Sequence, residues 1–329
     1  MAKMYYNRVL SPNFAQLLEP GGKLEWLFEF VKNRPDLDLL IGKRKARRGQ
    51  SNGCEQWISV YRGLSRCVTI NPSEIVDGAE AYKILNPNLY VKNLDFKNEL
   101  INLLSIIEKD SKFDRYYNNK KEGYFQNEFS RQYGILSDSN SEFVIIDKEA
   151  VIGYENEDTK KELLTPQKKK YEDMSKKLST INPKQYGREE KHFGNELDFL
   201  ALDKNGNILL IEFKHGTNTS GIYLSPLQIG LYYDIFADYH KNHKKEFEDV
   251  IFEMLKQKQK IGLINSEWQC PKSINKIIPV LVISEYNERS SAKAKYKEIM
   301  TICRKEFGND FLSNIETYNY TGLSTKYWN

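Results

Sequence analysis

A chain of 329 residues is long enough for one large domain or two moderate ones, each with its own core. Its 49 Lys and Arg stand against 45 Asp and Glu, and the net +4 permits nucleic-acid binding without demanding it. The order of residues excludes a membrane-spanning apolar run, an opening apolar stretch with a small-residue cleavage site, and an internal repeat, and its four cysteines read as reduced thiols, so a cytoplasmic protein is expected.

Residues 1–115 read as a first, partly β-rich region with nucleic-acid or partner binding as its candidate role. Leu24, Leu27, Phe28 and Val31 recur at helical spacing, and the predicted helix ends before Pro35. Strands are predicted over 37–48, 57–61 and 67–70, with Ser51-Asn52-Gly53 as a turn. Lys43, Arg44, Lys45, Arg47 and Arg48 form the densest basic run of the chain. It reads either as a strand edge kept soluble by charge or as a set of phosphate contacts. Like charges so crowded repel unless something neutralises them, which favours the phosphate reading. An amphipathic helix is predicted over 99–109, with Leu100, Leu103, Leu104 and Ile107 on one face.

A second region is expected over 116–329. Phe125, Phe129 and Tyr133 make an apolar helical stripe with Glu128 beside it, and 143–146 reads as a strand. Residues 155–190 are long and lysine-rich, read as a solvated helix or as a lid or substrate arm. After residue 194 comes an apolar hairpin, then the polar loop 215–221. A helix is predicted from Ser225, because Ser225-Pro226-Leu227-Gln228 has the form of a capping box with proline at the first helical position. Further helices are predicted over 246–260 and 291–307. Ile277 to Ser284 reads as a strand buried on both faces, starting at Pro279, and 315–320 as a last strand. This order predicts an α/β core with a mixed central sheet flanked by helices.

The hairpin carries charge where a buried strand should not. Asp198 lies on its first strand, and Glu212 and Lys214 on its second. Isolated charges in apolar strands are costly unless they are paired or bind a metal. Glu212 and Lys214 share a face by the two-residue alternation of a strand. Asp198 joins them only if the turn is a three-residue loop, Lys204-Asn205-Gly206, with Gly206 in the left-handed region; a two-residue turn puts Asp198 on the opposite face. Two carboxylates side by side repel unless a cation sits between them, and hard oxygen donors suit Mg²⁺ or Mn²⁺. A lysine beside such a centre can hold water or stabilise a phosphoryl oxygen.

Asp198 followed by Glu212-Phe213-Lys214 at the end of an apolar strand resembles the signature of the PD-(D/E)XK nuclease superfamily, with Leu197 where many members carry proline. Gln228 and Tyr232 resemble the QxxxY motif of some of its exonuclease-related branches. The likeness covers residues 120–285. It implies a restriction-endonuclease-like core and Mg²⁺-dependent cleavage of nucleic acid, DNA first. Asp198, Glu212 and the Phe213 carbonyl would be ligands and Lys214 catalytic, with Glu128 as a further metal ligand or an ordinary flank charge. Gln228 and Tyr232 would contact the substrate strand, unless Gln228 merely caps its helix. His215 reads as structural. Cysteines 54, 67, 270 and 303 show no CxxC pair or zinc spacing, and do not fit the cluster that holds an iron–sulfur centre in some related nucleases. A non-catalytic nucleic-acid-binding module and a subunit dependent on a partner protein are the rival expectations. A homodimer would suit paired cuts in a duplex.

Overall fold

The computed structural model describes residues 4–45, 54–114, 117–181, 186, 193–194, 196–308, 312, 315–320 and 325–327, the side chains of 45, 54 and 325–327 excepted. In chain order, β1 (Met4–Tyr5), α1 (Pro12–Ala15) and α2 (Glu25–Lys32) precede four strands, β2 (Asp38–Lys45), β3 (Cys54–Arg62), β4 (Ser65–Ile70) and β5 (Val76–Gly78). Next come α3 (Glu80–Lys83), α4 (Lys97–Lys109), α5 (Glu122–Gln132), β6 (Phe143–Ala150), β7 (Gly153–Tyr154) and α6 (Glu157–Ile181). Then follow β8 (Leu197–Asp203), β9 (Ile208–His215), α7 (Thr219–Asn242), α8 (Lys244–Ile261) and β10 (Ile277–Ser284). The last elements are α9 (Ala292–Phe307), β11 (Glu316–Tyr320) and β12 (Thr325–Tyr327). No described helix is long and apolar enough to cross a membrane.

The chain divides into two compact units, and not at the expected 115–116. One unit comprises Met1–Tyr6, Asp147–Asp249 and Pro271–Asn329; the other comprises Asn7–Ile146 and Val250–Cys270. The reason for the shift lies in α5, which is tied to the amino-terminal sheet. Asn127 donates to the Pro35 carbonyl (2.8 Å), and Ser130 donates to Asp38. The Arg131 guanidinium donates to the carbonyls of Val31 (2.9 Å), Lys32 (2.8 Å) and Leu37.

The amino-terminal unit is built on an antiparallel sheet of order β2-β3-β4-β5. Its inner face (Leu39, Ile41, Ile58, Val60, Val68, Ile70) shares a core with Leu27, Phe28 and Val31 of α2 and with the predicted apolar face of α4. The predicted turn at 51–53 lies outside the described residues.

The other unit is built on a six-stranded mixed sheet of order β12-β11-β10-β9-β8-β6. β8 and β9 run antiparallel, β10 runs parallel to both β9 and β11, and β12 is antiparallel to β11. The fold is thus mixed α/β, as expected. β10 is apolar along its length because it has a strand on either side. It begins at Ile277, two residues before the expected start. Proline is tolerated at 279 because pairing with β11 starts only at Val280.

Two expectations are corrected in this unit. α6 is no free arm: Leu164, Tyr171, Met174 and Leu178 are buried, and Tyr171 donates to Asp234 of α7 at 2.7 Å. α7 starts at Thr219, not at Ser225. The Asn218 side chain accepts from the Gly221 amide at the helix start, and Ser225-Pro226 lies inside the helix. Pro226 cannot supply the amide that would bond the Ile222 carbonyl, and the Ser225 hydroxyl donates to that carbonyl instead, at 2.7 Å.

Candidate active site

The site begins with a turn. Gly206 has φ +79°, its amide donates to the Asp203 carbonyl (3.1 Å), and Asp203 N–H donates to the Asn207 carbonyl (3.0 Å). The Asp203 carboxylate fastens the loop from inside, accepting from the amides of Asn205 (2.9 Å) and Asn207 (2.7 Å) and from the Asn207 side chain (2.7 Å). The segment before β10 fastens it from outside. Asn275 N–H donates to the Gly206 carbonyl (2.8 Å), and a Cβ on Gly206 would lie 2.2 Å from the Ser273 carbonyl oxygen. This is the three-residue loop that the site requires.

The register follows from it. Leu202 pairs with Ile208, Ala201 with Leu209, Leu200 with Leu210 and Phe199 with Ile211. One step further, Asp198 stands across from Glu212, on the face that Glu212 shares with Lys214. The alternate face is apolar. Phe213 is fully buried there, its ring 6.4 Å from that of Phe199 and 6.1 Å from that of Tyr320.

Hydrogen bonds fix the charged groups. Asp198 Oδ2 accepts from the Phe213 amide at 2.8 Å, which holds its carboxylate against β9. Glu212 is 1 % exposed, and Lys214 Nζ donates to its Oε1. An ion pair this deep is costly to desolvate, so its retention points to a use beyond stability.

Tyr232, on α7, completes the arrangement. Its hydroxyl donates to the Glu196 carbonyl at 2.7 Å and accepts from Gln228 Nε2 at 2.9 Å. The hydroxyl pKa is driven far above the ordinary tyrosine value, first by burial, then by the negative charges of Glu212, Asp198 and Glu196. Tyr232 therefore stays protonated and acts as a donor. Gln228 caps no helix; it holds this hydroxyl. Both residues support the chain two positions before Asp198, a role that the motif spacing gave no means to foresee. Glu196 was not foreseen either, since its contribution is a backbone carbonyl.

Glu128 and the described part of the basic run fall in the other unit of the chain. Glu128 belongs to the amino-terminal unit, where it accepts from the Tyr124 hydroxyl at 2.9 Å; a metal role for it rests on the resemblance alone. Lys43 and Arg44 lie on β2 of that unit, while Arg47, Arg48 and the Lys45 side chain are outside the described residues. His215 Nδ1 is 2.8 Å from Thr217 Oγ1, in keeping with a structural part. The loop's Gly216 amide is taken by the Ser284 carbonyl (2.6 Å).

Among the described residues no group of three or more His, Cys, Asp or Glu side chains is placed to hold a metal. A metal at this place would have the carboxylates of Asp198 and Glu212 as its side-chain donors, a set that would suit an ion such as Mg²⁺, which typically takes one or two carboxylates and completes its shell with water and phosphate. The set does not fit a closed structural centre. Comparison with protein-family models, with curated proteins and with solved structures finds no significant match.

Proposed function

We propose that the chain is a metal-dependent nuclease that hydrolyses phosphodiester bonds of nucleic acid, DNA first. The observation that carries the reading is the register of β8 on β9, which sets Asp198 across from Glu212 with Lys214 bonded to Glu212. The strand order β6-β8-β9-β10, with β8 and β9 antiparallel, β9 and β10 parallel and α7 between them in sequence, supports a restriction-endonuclease-like core around it.

Asp198 and Glu212 would hold Mg²⁺ or Mn²⁺, which when bound polarises a phosphoryl oxygen and acidifies water. The chain's own residues do the rest. The Phe213 amide orients Asp198, and Glu212 orients Lys214. Lys214, whose side chain is 12 % exposed, would hold a water or meet charge growing on a phosphoryl oxygen. Tyr232 and Gln228 keep the start of β8 in place.

The test is cleavage of linear, circular and single-stranded DNA, and of RNA, by purified protein with Mg²⁺ or Mn²⁺. Asp198→Ala and Lys214→Ala are expected to lose activity by about three orders of magnitude or more, with circular dichroism unchanged, as is typical when a group acting on transition-state charge is removed. Full activity in either variant, or activity indifferent to EDTA, would sink the proposal. Binding without turnover in the wild type would transfer it to the non-catalytic module.

A further inference from the structure

The amino-terminal unit carries a second cluster that the site above does not use. Trp57 on β3 stands opposite Gly42 on β2, on the face that also carries Arg44 and Glu55 and away from the core-facing Ile41 and Ile58. A Cβ at position 42 would come within 2.3 Å of the indole, so glycine there lets the ring lie across β2. Two cations share this ring. The guanidinium carbon of Arg8 is 5.4 Å from its centroid and that of Arg44 is 5.8 Å. Arg8 Nη1 donates to the Lys43 carbonyl at 3.1 Å, and Arg44 Nε donates to Glu55. Trp57 and Arg8 are half-buried, and the Arg44 side chain is 50 % exposed.

β2 is an edge strand, and charge alone would protect an edge. Protection does not call for cations held in position. Free arginines spread apart to lower their repulsion, yet these two are drawn to one indole and fixed by hydrogen bonds. Holding them so removes, before any partner arrives, part of the ordering entropy that binding would otherwise cost. Paired guanidinia beside an aromatic face suit the sugar–phosphate backbone of nucleic acid, where arginine binds phosphate through parallel N–H donors.

We propose that Arg8 and Arg44, set on Trp57, form a contact surface for the nucleic-acid backbone. The surface shares with the nuclease reading only the class of polymer. Arg8 and Arg44 meet phosphates, and Trp57 is the platform that keeps them in place.

Fluorescence anisotropy tests this with the full chain in EDTA, using labelled single-stranded DNA, duplex DNA and RNA over a range of NaCl. Arg8→Gln and Arg44→Gln are each expected to weaken binding by about three- to tenfold and to flatten the log–log salt slope by ~0.7 on a single strand or ~0.9 on a duplex. Trp57→Phe should bind nearly as wild type, and Trp57→Ala should weaken binding at least as much as either arginine variant. Lys23→Gln, an exposed charge of the same unit, is the control and should leave the slope unchanged. Circular dichroism melts check that each variant folds. Wild-type affinity and slope in the Arg8→Gln/Arg44→Gln protein would overturn the proposal, as would a wild type that binds none of the three polymers. Because no cleavage is measured, the surface can fail while Asp198 and Lys214 remain essential to turnover, and the reverse.

Discussion

In the amino-terminal unit, Arg62 lies between Asp36 (3.1 Å) and Asp114, and Arg34 grips Asp36 through two hydrogen bonds of 2.8 Å. In the other unit, Asp198 lies across a strand pair from Glu212, like beside like, and Lys214 bonds to Glu212. In the first set opposite charges alternate. Burial alone would raise the Asp36 pKa, but the hydrogen bonds and charge of Arg34, with the charge of Arg62, outweigh it and hold the carboxyl below its ordinary value. In the second set the carboxylates push together on the hydroxyl of Tyr232. Alternation is what a fold needs from buried charge, whereas like charges held together are what a cation or a reaction needs. The pattern of signs, more than depth of burial, sets the proposed site apart from the structural network.

The sharpest way to break this contrast is to remove one charge from each set. Arg62→Met leaves Asp114, 3 % exposed, without its partner, so unfolding by urea should show a loss of about 3–5 kcal/mol, with cleavage per folded molecule retained. A variant as stable as wild type would mean that the alternating network is ornamental. Tyr232→Phe keeps the ring and loses two hydrogen bonds, for an expected loss of about 1–2 kcal/mol together with weaker Mn²⁺ binding by calorimetry. Unchanged Mn²⁺ affinity would confine Tyr232 to a packing role. Glu212→Gln removes the repulsion from Asp198 but also the charge that Lys214 is paired with, so its expected outcome is lost activity with a loss of stability smaller than that of Arg62→Met. A loss as large as that of Arg62→Met would place Glu212 with the structural charges after all.

The smallest effect is read in pH. The folded pKa of Asp36 lies below its unfolded value, so its contribution is fully present above pH ~3.9 and is lost as pH falls through the folded pKa. Asp114 acts in the opposite sense. Burial outweighs Arg62 and raises its pKa, so the cost of its charge is relieved on protonation. Acid melts of the wild type should therefore fall along a shallow limb, and Asp36→Asn should flatten that limb further. An identical pH profile in Asp36→Asn would show that its carboxyl is not held as described.

What could be read from the sequence was local. Asn205-Gly206 and the apolar alternation around it determine a hairpin within some twenty residues, and the run at 277–284 can hardly be anything but a buried strand. The expected start of α7 at Ser225 differs from the observed one although the local chemistry is sound: Ser225 and Pro226 do compensate one another, but inside a helix already begun at Thr219. The division of the chain was not legible because Val250–Cys270 returns to the amino-terminal unit, where Ile261 and Leu263 enter its core. The buried face of α6 was hidden by the lysines between Leu164, Tyr171, Met174 and Leu178. Nor could spacing show that Tyr232 reaches a carbonyl 36 positions earlier.

The loop at 204–206 makes the site depend on parity. A substitution that moved the hairpin to a two-residue turn at positions 205 and 206, with no residue lost, would leave Asp198, Glu212 and Lys214 intact in any alignment while setting Asp198 across from Phe213. A motif search would still score such a gene as whole, although its product would have lost the carboxylate pair. The turn at 204–206 is thus as much a condition of the pair as the two carboxylates themselves.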